Sequence, residues 1–276
     1  MSAAEAGVER IAAAFAETGK RAALMPYVMG GFPTLDESLR IAEACVQAGA
    51  DVIELGVPYA DPLADGPVIH AAGTRALAAG ANLAGVLEVA RAVSSSVPVV
   101  LMCYANMVFA PGPEAFAERL QRAGVCGLIV PDLPLGEGEE VLRACDAHGL
   151  ALVPLVAPTT PPERMAAIGR SARGFLYTVS VVGTTGERDS LEARFAETVS
   201  RAKAATEVPV ALGFGIGTPE QARRAADAGA DGVIVGTRLV RAAAEELDAP
   251  RHDGSAGDPA AAVAEVLGEL AAGLAL

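Results

Sequence analysis

Eight short runs of apolar, often β-branched residues recur along this 276-residue chain, separated by Ala-rich segments. Apolar residues within those segments recur at helical spacing, as do Leu35, Leu39, Ala42 and Val46. Strand alternating with helix predicts parallel pairing, and eight repeats predict a closed (β/α)₈ TIM barrel, an α/β fold, rather than an open sheet. The runs span residues 24–30, 51–56, 97–103, 125–130, 151–156, 174–179, 208–213 and 232–236.

A barrel of this kind takes roughly 250 residues, so we expect residues 1–276 to form a single domain. We also expect an extra N-terminal helix, an extra helix after strand 8 over residues 239–247, and a last helix closing the chain. The first of these has an apolar face of Val8, Ile11, Ala12 and Phe15, and the last one has Val263, Val266, Leu267, Leu270 and Leu274. Glycines suited to helix C-caps precede four of the strands, namely Gly49, Gly124, Gly149 and Gly229.

Acidic residues outnumber basic ones, with 34 Asp and Glu against 21 Lys and Arg, which gives a formal net charge of −13. The average field repels nucleic acid and anionic lipid, so we expect neither as a partner. An anionic substrate therefore needs a local positive site. No apolar run reaches the ~18 residues of a membrane span, and the first residues lack the pattern of a signal peptide, so we expect a cytoplasmic protein.

Cysteine and histidine are too few and too scattered to predict a metal centre. The cysteines show no C-x-x-C spacing, which favours reduced, buried thiols over a metal site or a disulfide framework. We expect no metal. The residues concerned are Cys45, Cys103, Cys126 and Cys145, and His70, His148 and His252.

The stretch over residues 54–66 concentrates acids where a barrel enzyme needs them. Glu54 lies near the end of the second apolar run, and Asp61 and Asp65 follow in a Pro-containing loop. Loops after barrel strands lie at the C-terminal mouth, so these carboxylates are predicted to converge on a ligand there. The alternative is one solvated acid followed by two turn-forming Asp residues. Asp51 and Asp231, each in an Ala-Gly-Ala-Asp turn, belong to the opposite end and are predicted to be structural.

Three glycine-bearing turns follow the last three runs: residues 183–186, 213–217 and 236–237. Barrel phosphate sites are commonly built from loops after strands 7 and 8 with the N-terminus of a short helix. One such glycine pair is weak evidence. Their joint position predicts an anion site in which backbone N–H groups bind phosphate without Lys or Arg.

Three of the four tyrosines lie on a predicted strand or at its end: Tyr27, Tyr104 and Tyr177. For any one of them, packing in the core is the simpler interpretation. Three at one barrel mouth make a pocket for an aromatic ligand plausible.

These residues together resemble the tryptophan synthase alpha chain family, with matching order and spacing from about residue 24 to residue 247. The most specific part is 54–66, followed by 102–106, 130–134, 180–186, 213–215 and 236–237. The resemblance implies a lyase of tryptophan biosynthesis that cleaves indole-3-glycerol phosphate to indole and glyceraldehyde 3-phosphate without a cofactor. It also implies a beta-chain partner, with an alpha2beta2 heterotetramer as the expected assembly.

The resemblance places Glu54 and Asp65 in the catalytic positions. Glu54 is expected to be the general acid and base, and Asp65 to stabilise the cation that forms on the indole. The remaining residues are expected to bind substrate: Tyr27, Tyr104, Tyr177 and Phe214 around the indole and its glycerol chain, Thr185 as a hydrogen-bond partner of Asp65, and Gly186, Gly215, Gly236 and Thr237 around the phosphate.

The chain departs from the family pattern at four positions. Met29 stands where Thr is usual, Ala60 where Ser or Thr is usual, Thr184 where Val is common and Thr237 where Ser is usual. Thr237 keeps a hydroxyl, whereas Met29 and Ala60 each remove one near the mouth. The catalytic pair is unaffected, but coupling to a partner is put in doubt.

Three other functions stay open. The chain is compatible with a stand-alone lyase that releases free indole, which the two lost hydroxyls favour. A non-catalytic regulatory partner of a beta chain is disfavoured by the retained Glu54, Asp65 and Tyr177. A metal-dependent epimerase of the same fold would need His and Asp ligands at several strand ends, and those histidines are absent from the sequence.

Overall fold

In the computed structural model, residues 6–179, 188–213, 215–250 and 257–276 are described, and within them nine parallel strands form one sheet. The order around the sheet is β5-β4-β3-β2-β1-β9-β8-β7-β6. The strands are β1 (Ala23–Met29), β2 (Ile53–Gly56), β3 (Val99–Met102), β4 (Gly127–Ile129), β5 (Ala151–Val153), β6 (Leu155–Val156), β7 (Leu176–Val179), β8 (Val210–Gly213) and β9 (Gly232–Val235).

The two ends of this sheet, β5 and β6, are the halves of the fifth predicted strand, separated by Pro154. Proline has no N–H to donate to a ladder, which accounts for the interruption. Its carbonyl still accepts a hydrogen bond from the N–H of Tyr177 (3.1 Å). The sheet therefore curls into a barrel of eight strands with the fifth one broken, which confirms the predicted fold class.

The described residues form twelve helices around the sheet. They are α1 (Ala6–Ala16), α2 (Leu35–Gln47), α3 (Pro67–Ala78), α4 (Leu83–Val93), α5 (Ala105–Phe109), α6 (Pro113–Arg122), α7 (Glu139–Ala147), α8 (Pro162–Ser171), α9 (Arg188–Lys203), α10 (Pro219–Asp227), α11 (Thr237–Asp248) and α12 (Pro259–Gly273). The extra helices at the N-terminus and after the last strand are confirmed as α1 and α11. Much of the long connection after β2 is the additional helix α3.

Helix α1 packs on the N-terminal end of the barrel. Ile11 is fully buried there together with barrel-interior residues such as Met25 and Phe175. Val8 and Phe15 pack against the same cluster, whereas Ala12 is exposed, so its place on the predicted apolar face is wrong. At the other terminus, the predicted apolar residues of the last helix are all buried, and α12 packs against α2 and α11.

The glycine and aspartate predictions at the N-terminal end of the barrel are confirmed. The four predicted C-cap glycines have left-handed φ angles of 67° to 94°. Asp51 accepts hydrogen bonds from the N–H of Leu24 (2.7 Å) and from Lys20 Nζ (2.8 Å). Asp231 accepts them from the N–H of Val210 (2.9 Å) and from Lys203 Nζ (2.9 Å). Both carboxylates hold strand starts together.

Within the described ranges, no single helix combines the length and apolarity that crossing a membrane requires. Helices α3 and α4 reach both only as a pair, which is bent by 107°. That residues 1–276 form a single domain stays a prediction.

Candidate active site

Glu54 points into the barrel because of the two-residue period of its strand. Val52, two residues earlier on the same side, belongs to the cluster inside the barrel. Glu54 lies beside Tyr27 in the register of β1 and β2, and only 1% of its surface is exposed. Among the described residues, its Oε2 atom finds no hydrogen-bond partner. A buried carboxyl without a partner favours the neutral form, since burial penalises the charged one.

The environment of Glu54 raises its pKa to about 8, first through burial and second through the negative charge of Asp65. At neutral pH the carboxyl therefore holds its proton in most molecules. It can donate that proton to a substrate and take one back near physiological pH, which is what general acid and base catalysis requires.

Asp65 lies in the loop after β2 in a more polar setting. Partial burial raises its pKa, but a hydrogen bond with the Tyr104 hydroxyl and the charge of His70 act in the opposite direction. Tyr104 is held in turn by the backbone N–H of Ala64, which donates to its hydroxyl (3.1 Å), and by stacking on Tyr59 at 5.0 Å between ring centroids. The two carboxyls thus have different surroundings, the arrangement that lets one act as an acid while the other stays ionised.

Two glycines make room for the tyrosine rings at the mouth. A Cβ atom on Gly56 would lie 2.0 Å from the Tyr27 hydroxyl, and one on Gly213 would lie 2.5 Å from the Tyr177 hydroxyl. Both glycines occupy the next inward position on a strand adjacent to the tyrosine. Glycine at these points therefore sets where the phenol groups lie, and both tyrosines are buried.

These side chains surround a cavity of about 340 Å³ at the C-terminal mouth. Seven of the predicted residues line it: Tyr27, Glu54, Asp65, Tyr177, Gly215, Gly236 and Thr237. Tyr104 contacts the site through Asp65. Thr185, Gly186 and Phe214 lie outside the described residues, as do Thr184 and the rest of residues 180–187.

Several residues that line the cavity were not predicted from the sequence. Four apolar ones lie on strands, two residues after another inward-facing residue, so the two-residue period of a strand could have found them. They are Met102, Leu155, Val179 and Ile234. Arg238 and Arg241 were also not predicted. The sequence feature that could have indicated them is their position in the first turns of the helix that follows the glycine turn. Two arginines therefore lie at this cavity, whereas binding of phosphate by backbone N–H groups without a need for Lys or Arg stays a prediction.

Backbone donors are available at the end of the cavity formed by the loops after β8 and β9. Gly215 has φ +81°, a left-handed conformation that favours glycine. At the start of α11, the N–H groups of Leu239 and Val240 donate to the Gly236 carbonyl (2.9 and 3.1 Å). The earlier N–H groups of Thr237 and Arg238 precede the first helical bonds and are left for a ligand.

A family model described as tryptophan synthase alpha chain matches residues 13–264. The chain belongs to the tryptophan synthase alpha chain family. The alpha chain of Prochlorococcus marinus (strain MIT 9313) is 51% identical over 223 residues, which cover 80% of this chain and 81% of that protein. The alpha chain of Methanosarcina mazei is 48% identical over 229 residues, covering 83% and 84%.

Solved structures agree with this assignment. A chain in an open-form crystal structure of tryptophan synthase from M. tuberculosis has a TM-score of 0.85 and 38% identity, covering 97% of this chain and 99% of that chain. The alpha chain of Legionella pneumophila has a TM-score of 0.84 and 34% identity, covering 97% of each.

Membership confirms the predicted activity class. This chain is a lyase of the tryptophan synthase alpha type, acting in tryptophan biosynthesis, and the retro-aldol cleavage of indole-3-glycerol phosphate fits the family. Membership also supports a beta-chain partner.

The two departures that remove a hydroxyl lie in different places. Met29 is buried under the site, with its Sδ 4.0 Å from the Tyr27 hydroxyl and its Cε close to Gly73 of α3. Ala60 is exposed in the loop after β2 and does not line the cavity.

Proposed function

We propose that Glu54 is the general acid and base of the cleavage and that Asp65 stabilises the charge that develops on the substrate. The observation that carries the proposal is the buried carboxyl of Glu54, whose Oε2 has no hydrogen-bond partner within the described parts of the chain and which lines a cavity that also contains Asp65. A buried carboxyl left without a partner reduces stability, so its presence in a cavity favours a functional role.

Retro-aldol cleavage at indole C3 needs one proton delivered to C3 and another removed from the hydroxyl on the adjacent side-chain carbon. Glu54 donates its proton to C3, and the resulting carboxylate takes the hydroxyl proton as the carbon–carbon bond breaks. Indole and the aldehyde leave, and Glu54 is protonated again. A pKa raised to about 8 suits both halves of this cycle.

Protonation at C3 makes the ring an indoleninium cation. We assign its stabilisation to Asp65, because an ionised carboxylate near the ring N–H stabilises charge where it develops. The hydrogen bond from Tyr104 orients Asp65 and favours its charged form. Thr185 is proposed as a further hydrogen-bond partner that helps to exclude water when substrate is bound.

The remaining predicted residues divide the cavity between its two ligand parts. Tyr27, Tyr177 and Phe214 are proposed to contact the indole and the glycerol chain. The phosphate is proposed to bind at Gly186, Gly215, Gly236 and Thr237 through backbone donors.

For the assembly we propose an alpha2beta2 heterotetramer located in the cytoplasm. A beta chain that covers the mouth would raise the lyase rate by ordering the segments after β2 and β7 and by excluding water. Measuring the mass of the complex that this chain forms with a beta chain checks the assembly. A complex of one alpha chain with one beta chain contradicts it.

Met29 and Ala60 favour a second candidate, a stand-alone lyase that releases free indole, because each lacks a hydroxyl usual in the family. One assay separates the candidates. Purified chain is given indole-3-glycerol phosphate with and without a beta chain shown to bind it, and indole release is measured. We expect slow release alone and faster release with the partner. Fast release that the partner leaves unchanged supports the stand-alone lyase, and no release in either case contradicts catalysis by this chain.

A matched pair of variants tests the phosphate end. Thr237 is exposed at the first position of α11, so Thr237→Asp adds a negative charge without crowding, and Thr237→Asn is its neutral control. Thr237→Asp should raise KM for the phosphorylated substrate by about 10-fold or more through repulsion, and binding of free indole should be unchanged. An equal loss of indole affinity, measured by calorimetry, contradicts this placement of the phosphate.

A further inference from the structure

Two basic side chains line the cavity, Arg238 and Arg241. They are three residues apart on α11 and so lie on one side of the helix. No ion pair joins either arginine to an acidic residue within the described parts of the chain. By contrast, Asp248 at the end of the same helix pairs with Arg75 (3.1 Å). The simple interpretation of an exposed, unpaired arginine is a solvated surface charge, but the packing of Arg238 differs from that of a free surface side chain.

The aliphatic stem of Arg238 lies over Gly217. A Cβ atom at Gly217 would be 3.6 to 3.7 Å from three carbons of that stem, Cβ, Cγ and Cδ. The stem is therefore packed against the loop after β8, and Arg238 is half-buried rather than free in solvent. Contact along the stem with a charged head beyond it is the usual way in which arginine is positioned beside a polar site.

The balance of charge in the cavity favours a positively charged side chain beside the phosphate. A phosphate monoester carries about −1.5 to −2 at neutral pH, whereas a helix N-terminus supplies only about half a positive charge. Asp65 lines the same cavity, and the protein as a whole has a formal charge of −13. Backbone donors alone leave most of the ligand's charge without a counterion.

We infer that Arg238, with Arg241 beside it, selects phosphorylated over unphosphorylated substrate by supplying the positive charge at this end of the cavity. The inference rests on the proposed function and adds a specificity residue to it. The arginines act on binding of the phosphate and not on the proton transfers, because the reacting carbon is served by Glu54.

The test compares Arg238→Gln, Arg241→Gln and the double variant with Arg238→Lys, which keeps the charge. Arg223→Gln is the matched control, since it removes the same charge from an exposed position on α10 that does not line the cavity. Binding of glycerol 3-phosphate and of indole is measured by calorimetry, and KM and kcat are measured with indole-3-glycerol phosphate at several salt concentrations.

We expect Arg238→Gln to weaken glycerol 3-phosphate binding and raise KM by about 10-fold, as for loss of one charge-assisted contact, with kcat within about 2-fold of wild type. The double variant should lose more and show a shallower salt dependence. Arg238→Lys should recover much of the loss, and Arg223→Gln should match wild type. Indole affinity should be unchanged throughout.

Unchanged phosphate affinity in the double variant, or an equal effect of Arg223→Gln, overturns the inference. So does a parallel loss of indole affinity, which indicates damage to the cavity. The calorimetry with glycerol 3-phosphate does not depend on catalysis. If the wild-type chain binds it but releases no indole, the proposed function fails and the role of the arginines is still decided.

Discussion

The two ends of the barrel both contain buried or partly buried carboxylates, but these carboxylates differ in their hydrogen-bond partners. At the N-terminal end, Asp51 and Asp231 each accept hydrogen bonds from a strand N–H and from a lysine. At the C-terminal mouth, Glu54 has an oxygen without a partner among the described residues. Asp51 and Glu54 are only three residues apart, one just before β2 and the other within it, so the contrast comes from their surroundings.

The difference teaches how one fold separates stability from function. A carboxylate with charged and backbone donors favours the folded state, since its hydrogen bonds are lost on unfolding. A buried carboxyl without donors disfavours ionisation and reduces stability as pH rises, but its proton is available to a substrate. Exchanging the carboxyl for its amide at each end should therefore affect different measured quantities.

The largest effect is expected from Glu54→Gln, which keeps the shape of the side chain and removes its titration. Indole release should fall by about 10³-fold or more, near the upper range for loss of a general acid and base, while substrate analogues still bind. Steady-state indole release measures the loss, with Asp51→Asn as the control of equal chemical change. Activity above a tenth of wild type in Glu54→Gln would show that another group transfers the proton.

The dependence of stability on pH should differ between wild type and Glu54→Gln. Burial raises the pKa of Glu54 from about 4.5 to about 8, so the folded state holds this proton over a range in which the unfolded state has lost it. Stability is therefore greatest below about pH 4.5 for this group and is lost as pH rises to about 8. At about 1.4 kcal/mol for each unit of pKa difference, the loss is of the order of 5 kcal/mol.

Urea unfolding of wild type and Glu54→Gln at pH 5 to 9 measures this loss. The free energy of unfolding of Glu54→Gln relative to wild type should rise with pH and level off above about pH 8. A difference that stays constant over the range would mean that Glu54 titrates normally in the folded protein.

Asp65→Asn should have the next largest effect, a fall in indole release of roughly 10²-fold, the usual result of removing one group that stabilises developing charge. The fall should appear in kcat with little change in affinity for glycerol 3-phosphate. Tyr104→Phe, which removes the hydroxyl that hydrogen-bonds Asp65 and accepts from the N–H of Ala64, serves as a milder variant and should lose less. A larger loss in Tyr104→Phe than in Asp65→Asn would assign the stabilising role to the tyrosine.

Much of this contrast could be predicted from the sequence, because the alternation of apolar strands with helical segments predicts the barrel. The two-residue period predicts which acids face the interior, and the position of each acid along its strand predicts the end of the barrel at which it lies. The strands are mostly shorter than predicted, since the ladder hydrogen bonds end before the apolar residues do. The break at Pro154 follows from the missing N–H of proline. The additional helix α3 was not expected, although Pro67 in its first turn followed by the apolar Val68 and Ile69 is a signal for a helix start.

The site was less predictable than the fold wherever it depends on close approach between elements. Tyr27 and Tyr177 were recognisable as strand residues, but the need for Gly56 and Gly213 beside their hydroxyls appears only in three dimensions. Arg238 was overlooked because its role depends on the packing of its stem on Gly217. Pairing of Asp51 with Lys20 likewise joins residues 31 positions apart.

The smallest effect is expected from Asp51→Asn, and it should appear in stability alone. The amide can still accept from the N–H of Leu24, but the charged contact with Lys20 is lost, and that pair is largely buried at 12% and 19% side-chain exposure. A loss of about 1–3 kcal/mol in the free energy of unfolding is expected, as for a hydrogen bond to a charged group, with kcat and KM within about 2-fold of wild type. Lys20→Met, which removes the same contact from the other side, should give a similar loss, and the double variant should lose less than the sum because both changes break one interaction. Fully additive losses would mean that the ion pair contributes nothing, and a fall in kcat would mean that the two ends of the barrel are coupled.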